Sequence, residues 1–275
     1  MSSSKLLPGL FALALILSGT RVASAEDEEE DQMYPVAFVD RPLTLPGLSL
    51  SPDGTFDATN LVKDPEATDR AFETNFAVMA GFGFGILDSL EVRASLGTLR
   101  IAPKVEYYEP KLAVTFRFVG ADAFNMGIRA EATMLNRSAE EEGVRLQGSL
   151  PFLIRLGSSA RLDFAPGALL TFQEEKEMAF GVNVPVSFAF QMVDAIHFGA
   201  QTSAYIENFD NPGESLVIPL GFFLGVSLGS TRPMVEIDPY FTWTEFSRPG
   251  AELDNDKVSV EKFSAGATLR FYLYL

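Results

Sequence analysis

Thirteen ionisable residues recur at alternating positions among small and polar neighbours. They are Glu91, Arg93, Arg117, Arg129, Glu131, Arg145, Arg155, Arg161, Asp163, His197, Glu236, Asp238 and Arg270. Seven are arginines and five are acids, so the set has a slight positive excess. Arginine offers a planar fork of donors that suits carboxylate and phosphate groups. A ring of such charges around a water path selects solutes by size and sign. The same residues can instead pair with one another. Glu236 and Asp238 can face Arg270, and Arg155 and Arg161 flank a turn beside Asp163. Such an ion-pair ladder would stiffen a polar wall. The residue types allow a selective constriction and a structural ladder alike.

Catalytic chemistry has little to stand on. His197 is the only histidine. A serine nucleophile needs a histidine within hydrogen-bond reach and a third group to orient it. Ser203 shares a face with His197 but lies several residues along. There is no cysteine, no ligand spacing for a metal, no glycine-rich phosphate loop and no dinucleotide fingerprint. The acidic groups Glu140, Glu141 and Glu142, and Glu174, Glu175 and Glu177, read as solvated loop charge rather than calcium ligands, since a run of acids does not fix a coordination geometry. We therefore expect no catalytic residue, no metal and no cofactor. A hydrolase would have to be built on His197.

The elements that must position these charges are extended. From Phe263 to Leu275, every second residue is apolar: Phe263, Ala265, Ala267, Leu269, Phe271, Leu273 and Leu275. A period of two means a strand whose faces meet different surroundings. The same alternation recurs along the chain. Phe76, Val78, Ala80, Phe82, Phe84 and Ile86 alternate with Gly81, Gly83 and Gly85; Leu112, Val114, Phe116 and Phe118 alternate with Thr115 and Arg117. Ile218, Leu220, Phe222, Leu224, Val226 and Leu228 alternate with Gly221, Gly225 and Ser227. Twelve such stretches can be drawn. Short turns such as Leu87-Asp88-Ser89 and Val193-Asp194-Ala195 alternate with longer polar connections such as Glu207 to Ser215. Short turns on one side and long loops on the other, with an even strand count, describe a membrane barrel with both ends on the turn side. Pro151, Pro166, Pro185, Pro219 and Pro239 fall inside strands, where proline interrupts the ladder, so each predicts a bulge or a slip of register.

Apolar aromatics fall near both strand ends, Phe76, Phe172, Phe180, Trp243 and Phe263 at one, and Phe84, Phe118, Phe124, Phe190, Phe198 and Phe271 at the other. Two belts around an apolar band are what lipid contact requires. Residues 1–25 read as a secretory signal peptide: Lys5, an apolar core from Leu10 to Leu17, and small residues at Ala23-Ser24-Ala25. Losing Lys5 and Arg21 takes the net charge from −16 to −18, which argues against a nucleic-acid partner. Residues 26–42 read as an acidic periplasmic leader, and 43–275 as the barrel.

The closing stretch from Phe263 resembles the last strand of Gram-negative outer-membrane β-barrels, although that family usually ends on Phe or Trp rather than on Leu275. Arg41-Pro42-Leu43-Thr44-Leu45-Pro46 resembles the segment before the first strand in barrels of some Gram-negative, notably myxobacterial, proteomes. The resemblance implies an all-β, transmembrane, antiparallel up-and-down barrel of about twelve strands in the outer membrane. It also implies contact with membrane lipid and lipopolysaccharide, delivery by the export and barrel-assembly machinery, and small solutes as cargo. The function expected is a narrow passive channel with a charged collar in its periplasmic half. A plugged, non-conducting surface barrel is the alternative, and an outer-membrane hydrolase a weaker one, since no His/Ser/Asn signature resembles that of the twelve-stranded phospholipases.

Overall fold

The computed structural model describes residues 34–62, 72–102, 105–135, 142–173, 178–209, 216–229, 234–247 and 262–275. The signal segment, the acidic stretch 26–32 and the loop acids Glu140, Glu141, Glu174, Glu175 and Glu177 lie outside the described residues.

Alternating apolar and polar residues fold into long strands. These are β1 (Ser49–Val62), β2 (Phe72–Leu87), β3 (Leu90–Ala102), β4 (Glu106–Tyr108), β5 (Lys111–Ala121), β6 (Phe124–Leu135), β7 (Gly143–Ser149), β8 (Phe152–Leu156), β9 (Ala160–Phe164), β10 (Gly167–Gln173), β11 (Ala179–Val193), β12 (Ile196–Ile206), β13 (Leu216–Leu228), β14 (Met234–Ser247) and β15 (Phe263–Tyr274). β4 is a short extension paired to β3. β7 with β8, and β9 with β10, are each one wall strand interrupted once, which leaves twelve strands in the wall. Each pairs antiparallel with its neighbour, and β1 closes the cylinder against β15. At that closure the Thr55 and Thr268 hydroxyls lie 2.9 Å apart as a cross-strand hydrogen bond. Closure leaves no unpaired edge, as a wall immersed in hydrocarbon requires.

The two faces sort as the period dictates. On β5, Ala113 and Thr115 are buried while Leu112 and Val114 are exposed outward. Of the expected belts, Phe76, Phe172 and Phe180 are exposed at the loop end, and Phe118, Phe190, Phe198 and Phe271 at the turn end. A continuous exposed apolar band around a closed polar interior is the surface that lipid covers.

The in-strand prolines are accommodated in three ways. At Pro151, Pro166 and Pro185 the ladder is interrupted but the register on either side is the same. At Pro219 the β13–β14 pairing shifts register between Ile218 and Leu220. Pro239 stays in an unbroken register opposite Ala267, so no bulge forms there. Only Pro219 produces the predicted slip.

Candidate functional site

The charged inner residues converge on a stretch of the chain itself. Residues 34–48 run inside the barrel before the chain turns into β1. Leu48, at a φ of 56°, makes that turn. Its N–H donates to the Gly85 carbonyl at 2.7 Å, and its carbonyl accepts from Leu275 N at 2.9 Å. Residues 34–42, the described part of the stretch read as a leader, bond to inner wall residues.

Arg41 is the centre of the arrangement. It is 2% exposed, yet each guanidinium nitrogen has partners. Nε donates to the Pro35 carbonyl at 3.0 Å, and Nη2 to the Val36 carbonyl at 3.0 Å and Ser227 Oγ at 2.7 Å. Nη1 donates to Glu236 Oε1 at 2.5 Å and reaches the Tyr272 hydroxyl at 3.4 Å. Tyr34, Phe38 and Tyr272 present their rings to the cation at 5.3–5.6 Å. The guanidinium thus ties the segment to itself and to β13, β14 and β15 at once.

Glu236 is fully buried and shared. Its Oε2 accepts from Arg270 Nη1 at 3.0 Å and from the Tyr272 hydroxyl at 2.8 Å. Arg270 also lies 3.5 Å from Asp238. A buried carboxylate with two guanidinium partners and a phenol donor is compensated, where an unpaired one would not be tolerated.

Other inner residues hold the rest of the segment. Arg155 donates to the Val39 and Asp40 carbonyls at 2.8 and 2.6 Å. Arg161 donates to the Phe38 and Arg41 carbonyls at 3.0 and 3.1 Å while gripping Asp163 at 2.7 Å. Glu91 accepts from Leu45 N at 2.9 Å and from Arg93 at 3.1 Å; Arg93 also reaches Asp53 at 2.9 Å. The His197 ring stacks on Phe38 at 4.2 Å and faces Asp238 at 4.0 Å. No serine hydroxyl bonds to it among the described residues.

Glycines make room for this seating. A Cβ at Gly85 would fall 1.8 Å from the Pro46 carbonyl oxygen, and one at Gly225 would fall 1.9 Å from the His197 ring. The segment and the histidine therefore lie directly on the wall backbone.

Arg117 sits at the turn rim, donating to Asn125 and the Asp88 carbonyl. Arg129 pairs with Glu131 at 2.6 Å above the segment, and Arg145 with Glu207 at 2.9 Å. The lumen space divides accordingly. About 240 Å³ remains beside the segment, lined by Tyr34, Arg41, Glu91, Arg93 and Arg270. Two larger cavities lie above it. One, about 330 Å³, is lined by Lys111, Arg129, Arg145, Gln147 and Asn183; the other, about 380 Å³, by Asp163, Ser187, Gln201, Ser203 and Thr242.

Sequence reasoning missed Arg41, Tyr34, Phe38 and Tyr272 as partners of the wall charges. One signal was present: Arg41 is the only basic residue between Arg21 and Lys63.

No protein-family model matches the chain, and no curated protein matches it. Solved structures do. An outer membrane channel from Pseudomonas putida F1 superposes with a TM-score of 0.53 at 8% identity, over 91% of this chain and 100% of that one. The KdgM porin, solved in complex with disordered oligogalacturonate, gives 0.51 at 4% identity, over 82% and 99%. The NanC porin gives 0.51 at 7% identity, over 82% and 99%. The fold is that of a transmembrane, porin-like barrel. At such identities the likeness concerns the fold alone.

Proposed function

We propose that this protein stands in the outer membrane of a Gram-negative bacterium and passes small solutes. In this reading the upper lumen is open to polar solutes, and residues 34–48 close the periplasmic half. The charged collar is then chiefly the seat of that segment, and a constriction for solutes only when the segment yields. Export and barrel-assembly machinery, lipid and lipopolysaccharide are the partners such a location entails. The observation that carries the reading is the buried Arg41–Glu236–Arg270 network, which fixes the segment across the lumen. The fold of the porins named above supports passage in general. A permanently sealed surface barrel draws on the same network.

Permeation into proteoliposomes separates the two. Arg41→Ala removes one side of a buried pair, a loss of about 3 kcal/mol for seating the segment. We expect permeability to small polar solutes to rise at least tenfold over the parent. Equal permeability, both above protein-free vesicles, would show that the segment is not the barrier. No permeation by either protein would favour the sealed barrel.

A further inference from the structure

Three wall prolines share one level. The pairings on either side set Gly127 opposite Pro151, Pro151 opposite Ala165, Ala165 opposite Pro185, Pro185 opposite Ser203 and Ser203 opposite Pro219. The row crosses six consecutive wall strands. Along it, half of the hydrogen bonding survives. Gly127 N donates to the Pro151 carbonyl at 3.0 Å, Leu150 N to Pro166 at 2.9 Å, and Ala165 N to Pro185 at 3.1 Å. The return bonds are missing because proline has no N–H. At Pro219 the carbonyl takes a side-chain donor, Thr202 Oγ1 at 2.6 Å. Pro239, by contrast, stands alone at its level, and the β14–β15 pairing runs unbroken through it.

Behind the row lies the 380 Å³ cavity, which Ala165, Pro185, Ser203 and Pro219 themselves line. That volume is within the ~300–1,000 Å³ of small-molecule sites. Its walls mix apolar groups with the polar Ser187, Gln201 and Thr242 and the carboxylate of Asp163. Pro185 is the middle part of the 15-residue β11, so the row faces the hydrocarbon core and not the headgroups. The outward neighbours Phe164, Val184 and Val186 are apolar.

We propose that the wall from β9 and β10 through β13 opens sideways at this row. The alkyl chain of an amphipathic small molecule passes there between the bilayer and the cavity, and its polar end stays with Ser187 and Gln201. The proposal rests on the barrel standing in a bilayer, as in the preceding section, but not on movement of residues 34–48.

The chain has no cysteine, so a single Ser187→Cys reports on the cavity. In proteoliposomes, we expect an alkyl maleimide confined to the bilayer to label it. Phe188→Cys, on the outward face, shows that the reagent is competent. Replacing Pro151, Pro166, Pro185 and Pro219 by valine restores the donors, and labelling at position 187 should slow at least tenfold while a charged, water-soluble thiol reagent still reacts. The proposal is overturned if the alkyl reagent labels position 188 but not 187, or if the valine variant is labelled as fast as the parent. Solute permeation through Arg41→Ala is read separately, so failure here leaves the channel reading standing.

Discussion

Arg41 uses its whole fork: donors at Nε, Nη1 and Nη2 each find acceptors on the segment or the wall. An ammonium has three donors and no planar face to stack, so lysine cannot replace it. Arg41→Lys is expected to give solute permeability between those of the parent and Arg41→Ala, measured in the same vesicles; permeability equal to the parent's would mean that charge alone seats the segment. Gly85 makes a second residue-scale prediction. The Cβ of Gly85→Val would collide with the Pro46 carbonyl, which is backbone and cannot swing away. A single cysteine at Leu45, buried in the parent, should then react with a soluble maleimide at least tenfold faster. Unchanged reactivity would show that the segment shifts without leaving its seat.

At the scale of elements, the strands were legible because side chains alternate across a sheet, so one period reports both strand and face. Pairs two residues apart on one strand, such as Arg129 with Glu131 and Arg161 with Asp163, follow from the same period. The luminal segment was not legible. Residues 34–48 have no period, and Arg41 meets Glu236 across 195 positions, a contact no local pattern encodes. The proline positions were legible but their consequence was not, because register depends on both neighbouring strands. Leu224 tests the outward assignment. It is exposed near the middle of β13, and Leu224→Arg should destabilise the bilayer-inserted barrel by about 2–4 kcal/mol. Reversible unfolding from vesicles measures this; a variant as stable as the parent would place β13 away from lipid.

For the whole molecule, the barrel divides into two halves of different character. The lower half is filled by the protein's own chain, pinned by a buried ion network. The upper half holds two cavities of about 330 and 380 Å³, one flanked by Lys111, Arg129 and Arg145. The wall supplies a closed apolar exterior, and its inner Glu91, Arg155, Arg161 and Glu236 bond to the segment. In the proposed reading, passage is governed by whether residues 34–48 move. A reversible lock measures that directly. A Cβ at Gly83 would stand 2.9 Å from Leu45 Cδ1, so Leu45→Cys with Gly83→Cys sets two cysteines at facing positions in a chain with no other cysteine. The measurement is single-channel conductance of this variant in a planar bilayer, first oxidised and then after reductant is added. A bilayer silent until reduction, with discrete steps afterwards, is the predicted result; identical conductance in both states would contradict it.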